Sequence, residues 1–146
     1  ASDSRKTTKS ATISSVLGLG VATSKVVVSS AEVLALHTTP IELIAAPGAN
    51  KIIQILGVMA SIDFNSLAYV KKDLWVIYAG AVRSTYEWTN AILNSGIDYI
   101  EYASFNTSIF GPTATINTAV QLSIEAATAT GDSPITIYTT YKTLDV

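Results

Sequence analysis

The sequence predicts an all-β protein, an antiparallel β-sandwich of jelly-roll-like form with an extended N-terminal arm. Three observations predict it. Val, Ile and Thr dominate, and Ser plus Thr make up about a quarter of the 146 residues, a composition that suits pleated, half-buried backbone. Apolar and polar residues alternate with period two in several stretches. Gly, Pro, Asn and Asp punctuate the chain between those stretches. Residues 1–24 are the expected arm and 25–146 a single sandwich domain, a length that fits one hydrophobic core.

The arm is basic and rich in Ser and Thr. Residues 1–25 hold Arg5, Lys6, Lys9 and Lys25 against Asp3, a balance of +3 that leaves −5 for the remainder of a chain of net charge −2. Such an arm either reaches an acidic neighbour or a nucleic acid or is a solvated tail. With four cations and no interleaved aromatic, it falls short of a nucleic-acid face. Residues 11–22, behind Arg5, Lys6 and Lys9, match a signal peptide poorly, because Thr12, Ser14 and Ser15 dilute the stretch and Gly18 and Gly20 loosen it.

A short strand is expected at 25–28. Ser29-Ser30-Ala31-Glu32 then reads as a capping box opening one or two helical turns through Leu36, stopped before Pro40. Strands at 41–46 and 51–64 flank the Pro47-Gly48-Ala49-Asn50 turn. The second of these is apolar on both faces, with Ile52, Leu56, Val58 and Ile62 against Ile53, Ile55 and Met59. A strand like that lies mid-sandwich or has one face under a partner. A short strand follows at 67–70, and a tight hairpin around Gly80-Ala81 joins 74–79 to 82–88. Residues 90–95 form a turn with Gly96 as C-cap, and 97–103 another strand. The clearest alternation runs over 113–126, with Ile116, Val120, Leu122 and Ile124 on one face. A strand from Ile135 to about Thr143 closes a C-terminal hairpin after Gly131-Asp132-Ser133-Pro134.

Charged residues are only 14% of the chain, against about 25% in ordinary domains. Either the surface is largely uncharged Ser, Thr and Asn, or neighbouring subunits cover it. A membrane helix is excluded as the reason, since the longest apolar runs are about nine residues and a span needs ~20. There is no Cys, so neither disulfides nor thiolate metal sites arise.

No constellation for catalysis emerges. His37 is the single histidine and precedes a Thr-Thr-Pro turn, the setting of a hydrogen-bonding turn residue. No nucleophile elbow or metal-ligand spacing occurs. Gly18-Leu19-Gly20-Val21-Ala22-Thr23 lacks the third glycine of a dinucleotide loop. Asp98 and Glu101, three apart on a strand, point to opposite faces and make no acid–base pair. Neither cofactor nor small-molecule substrate is expected. Asn106-Thr107-Ser108 is a glycosylation sequon, meaningful only in a eukaryotic secretory setting. Tyr69, Trp75, Tyr78, Tyr86, Trp88, Tyr99 and Tyr102 crowd the middle of the chain. They serve the core and sheet faces, a subunit contact, or a glycan platform. Trp75 and Trp88 are the candidate contact residues among them, with Arg5, Lys6 and Lys9 in the arm.

The run from Ser29 through Leu36-His37-Thr38-Thr39-Pro40 to Pro47-Gly48-Ala49-Asn50-Lys51-Ile52-Ile53 resembles a segment of small virion proteins of tailed bacteriophages. The close at Tyr138-Thr139-Thr140-Tyr141-Lys142 is similar to theirs as well. The resemblance covers about a quarter of the chain, is structural, and carries over no active-site residue. It implies a non-enzymatic capsid decoration (cement) protein, made in the host cytoplasm and carried on the virion. The implied partners are copies of itself, as a homotrimer, and the major capsid or another virion protein. A fibre, spike or tail subunit with a receptor- or glycan-binding role is the alternative.

Overall fold

The computed structural model describes residues 20–70, 72–89, 91–106 and 114–146. Nine strands and one short helix are formed: β1 (Ala22–Val28), α1 (Ser30–Ala35), β2 (Ile41–Ile44), β3 (Lys51–Ile62), β4 (Leu74–Tyr78), β5 (Tyr86–Trp88), β6 (Tyr99–Tyr102), β7 (Ser104–Phe105), β8 (Val120–Ile124) and β9 (Ile135–Asp145). They make two antiparallel sheets, the first in the order β1-β9-β3-β6 and the second β2-β8-β4-β5-β7. Between β6 and β7 the chain crosses from one sheet to the other at Ala103, whose N–H donates to Val58 O at 2.9 Å. Counted as one bent strand, β6–β7 completes an eight-stranded jelly roll. The expected antiparallel sandwich is therefore the fold.

Local chemistry places the first crossover. Ser29 caps α1, its Oγ accepting from Glu32 N–H while Glu32 Oε2 accepts from Ser29 N–H at 2.8 Å. That reciprocal pair satisfies orphan donors of the first turn, and Ser29 holds the Glu32 carboxyl below its usual range. Val33 and Leu36 are driven fully into the core, and α1 carries the chain from the first sheet to the second. No helix among the described residues is long and apolar enough to cross a membrane.

Strand β3 pairs with β9 along its length, with a bulge between Ile55 and Gly57. The bulge resets the alternation: Ile53 and Ile55 face inward before it, and Val58, Ala60 and Ile62 after it. Leu56 and Met59 consequently share the outer face. This corrects the strict two-residue division expected for the strand. An extra residue on one strand shifts the parity of everything beyond it.

Several other expectations change. Strand β1 starts at Ala22, three residues earlier than the expected 25. Residue 113 of the expected strand at 113–126 lies outside the described residues; of the rest only Val120–Ile124 forms a strand, and Ile116 stands exposed in a turn. That turn is set by Asn117, at φ 49°, a left-handed conformation that Asn tolerates. Its Oδ1 accepts from Gly48 N–H at 2.9 Å, and its N–H donates to Lys51 O at 2.8 Å. The expected C-terminal hairpin is absent, because β8 belongs to the second sheet and β9 to the first. Likewise β2 and β3, on either side of the Pro-Gly turn, lie in different sheets. Strands β4 and β5 do pair, in the register Leu74↔Trp88, across a longer loop than a tight turn. Gly96 is not in the left-handed conformation of a helix C-cap.

The expected strand at 67–70 is a loop, and the segment 131–134 explains why. Asp132 accepts from Ser66 N–H, from Leu67 N–H at 2.9 Å, and from the side chains of Ser66 and Asn65. Asn65 N–H donates to Ser133 Oγ at 3.0 Å, and the Tyr69 hydroxyl to Ser133 O. These partners replace a strand ladder. Tyr69 is thereby buried against Gly131, which sits at φ 129°.

Replacing Gly131 with Ala drives a Cβ into the Tyr69 ring in a backbone conformation side chains rarely adopt. We expect a loss of about 1–3 kcal/mol, read as a lower urea midpoint. Ile137→Ala, fully buried near the start of β9, is expected to cost about 2–5 kcal/mol.

Candidate functional site

The polar residues that sequence reasoning weighed for chemistry do not converge. His37 is exposed in the turn after α1. Asp98 accepts from Phe64 N–H at 2.9 Å, a loop anchor. Glu101 lies in the row of β6 that faces Ala60 and Ile137. One of its carboxylate oxygens is buried without a hydrogen-bond partner, and burial raises its pKa. Among the described residues no three His, Cys, Asp or Glu side chains group so as to hold a metal ion.

The aromatic cluster divides by sheet face. Tyr69, Tyr78 and Trp88 are core residues, and the Trp88 indole N–H donates to Glu101 O at 3.0 Å. The Tyr78 hydroxyl reaches Ile53 O at 2.6 Å, tying the two sheets together. Tyr86 packs edge-to-face on Phe105 with ring centroids 5.4 Å apart. Trp75 points from the opposite face of the second sheet to Trp88, half-buried beside Glu87. The two indoles therefore form no shared platform, and Trp88 offers no surface in a single copy. Arg5, Lys6 and Lys9 lie outside the described residues.

What the fold does assemble is the outer face of the first sheet. The strand registers align Val27, Thr136, Ser61 and Ile100 in one row across β1, β9, β3 and β6. The next row is Lys25, Tyr138, Met59 and Tyr102, and beyond it lie Thr23, Thr140 and the bulge at Leu56 and Gly57. Tyr102 is 77% exposed, Ile100 64%, Val27 62% and Leu56 44%. Lys25 is the one charge in the two rows, and its ammonium sits 5.9 Å from the Tyr138 ring centroid. A hollow of about 450 Å³ lies between Tyr102 and Tyr138, floored by Met59 and Gly57.

Sequence reasoning reached part of this face. The double-sided apolarity of β3 left a mid-sandwich place or a face under a partner as its two readings, and Tyr102 was among the aromatics. It missed Val27 and Ile100, which become neighbours only through pairing with β9 and β3. Their signal is the alternation within short edge strands, too brief to stand out alone.

No family model matches the chain, and no curated protein does. A solved structure matches: a chain of the cyanophage Pam1 capsid asymmetric unit, at TM-score 0.52 and 21% identity. The match covers 83% of this chain and 81% of that one. The two share a fold. At this identity the likeness concerns the path of the backbone across both sheets, and no side chain of the exposed face is carried over by it.

The face is flanked by the loop that Asp132 holds. Hydrogen bonds from the Ser66 hydroxyl, then from the Leu67 and Ser66 backbone, lower the Asp132 pKa from 3.8 to about 2. A carboxylate depressed on folding contributes stability that is present above about pH 4 and lost as pH falls toward 2. Asp132→Asn should therefore be less stable than wild type at pH 7. Its acid denaturation should be flatter between pH 4 and 2, as followed by tyrosine and tryptophan fluorescence.

Proposed function

We propose that the chain is a structural component of a bacteriophage virion, a capsid decoration (cement) protein that binds the shell surface and bridges its subunits. The observation that carries this reading is the exposed, nearly uncharged outer face of the first sheet. It belongs to a chain with only 14% charged residues. A contiguous apolar face of this kind marks a surface meant to be covered. The fold shared with a chain of a phage capsid asymmetric unit supports the setting. So does the likeness of residues 29–53 to small virion proteins.

In this role no chemistry is required of the protein, and neither cofactor nor substrate is bound. The arm, through Arg5, Lys6 and Lys9, engages acidic surface of the major capsid protein. The sandwich supplies contacts between copies, with Trp75 as the anchor on the outer face of its second sheet; Trp88, expected beside it, is spent in the core. The resemblance implies a homotrimer. Modest contacts become strong when repeated, because each bound copy raises the effective concentration of its neighbours' sites. The alternative of a fibre, spike or tail subunit that recognises a glycan draws on the hollow beside Tyr102 and Tyr138.

The test is attachment to particles. Purified protein should co-sediment with phage shells and appear as surface density by electron microscopy. Deleting residues 1–19, which leaves β1 whole, should weaken attachment at least tenfold without changing the β-rich circular dichroism. A protein absent from particles and unable to bind them overturns the proposal. Binding to a glycan array, lost in Tyr102→Ala, would establish the alternative.

A further inference from the structure

The outer face of the first sheet is complementary to itself. Its two central rows read Val27, Thr136, Ser61, Ile100 and Lys25, Tyr138, Met59, Tyr102 from the β1 edge to the β6 edge. Consider a second copy laid on this face by a two-fold axis parallel to the strands, midway between β9 and β3. The operation reverses strand order and keeps every residue in its row. Val27 then meets Ile100 of the other copy, and Thr136 meets Ser61. Lys25 meets Tyr102, and Tyr138 meets Met59.

Each of these meetings is favourable. Two aliphatic side chains, 62% and 64% exposed in one copy, cover each other. The lone ammonium of the two rows finds an aromatic face, and the thioether finds a ring edge. No like charges are opposed, because Lys25 lies at one edge of the face and its mate at the other. The outward rows hold no carboxylate that would ask for a basic partner instead. Four strands about 4.8 Å apart and three rows about 6.7 Å apart give a footprint of roughly 400 Å². Side-chain relief raises this toward the ~600 Å² per partner at which specific interfaces begin.

We propose that this face pairs two copies of the chain back to back through an isologous contact, β1 of each copy lying over β6 of the other. The pairing names the partner of the face on which the structural role rests. Built on a trimer, it joins two trimers.

Analytical ultracentrifugation tests it directly. The wild-type mass should be an even multiple of 15.4 kDa, and Val27→Asp, Ile100→Asp and Lys25→Glu should each halve it. All three positions are exposed on strands, and circular dichroism verifies the fold. Orientation is tested with single cysteines, since the chain has none of its own. A short bismaleimide should link Val27→Cys to Ile100→Cys chains in a mixture and link neither variant to itself. A wild-type monomer or trimer, an unchanged mass in the variants, or a Val27→Cys self-link overturns the pairing. If the protein is monomeric and Val27→Asp instead weakens particle binding, the face belongs to the shell. Pairing without particle binding leaves this inference standing and removes the decoration role; decoration by a monomer does the reverse.

Discussion

The ladder between β3 and β9 is the contact on which the rest of the molecule depends. These are the two long strands, they occupy the middle of the first sheet, and β1 and β6 are added to their outer edges. The bulge at Ile55 and Gly57 lets one twelve-residue strand serve the core along its whole length. Without it, either Ile53 and Ile55 or Val58, Ala60 and Ile62 would face solvent, because side chains alternate strictly on an unbulged strand. The same irregularity pushes Leu56 outward beside Met59. One extra residue thus decides both the packing inside and the apolarity outside.

Around that ladder the fold is closed by short, specific connections. The capping box of α1 turns the chain from the first sheet to the second, and the bend at Ala103 returns an edge strand across the gap. The Ser24 hydroxyl, donating to Leu43 O at 2.6 Å, links the strands at the other edge. The segment 131–134 holds a loop from the far end of β3 through the Asp132 carboxylate and Ser133. The Ser24 contact and the bend at Ala103 thus tie the two sheets together at opposite edges.

In the proposed role the protein works by being covered. Its sparing use of charge would be a liability in a free monomer, where charged side chains keep apolar surface apart. In an assembly it lowers the desolvation cost of contact, since a threonine or tyrosine loses less on leaving water than a lysine or glutamate. The outer rows of Thr, Ser, Tyr and Met follow that logic, with one lysine held over a ring. The buried Trp88, by contrast, joins β5 to Glu101 on β6 and so serves the corner between the sheets.

The sequence by itself determined the class of fold, the helix cap at Ser29, the inward faces of Val120–Ile124 and Ile135–Ile137, and the scarcity of charge. All of these are local properties of composition, of neighbours within a few residues, or of alternation along one strand. Only the tertiary structure decided that β8 and β9 part into different sheets, that 67–70 yields its ladder to Asp132, and that the alternation of β3 breaks at Leu56. It alone brought Val27, Tyr138, Met59 and Ile100 onto one face. Strand partners are chosen by long-range packing, and a two-residue period says which side a residue takes but never which strand lies beside it.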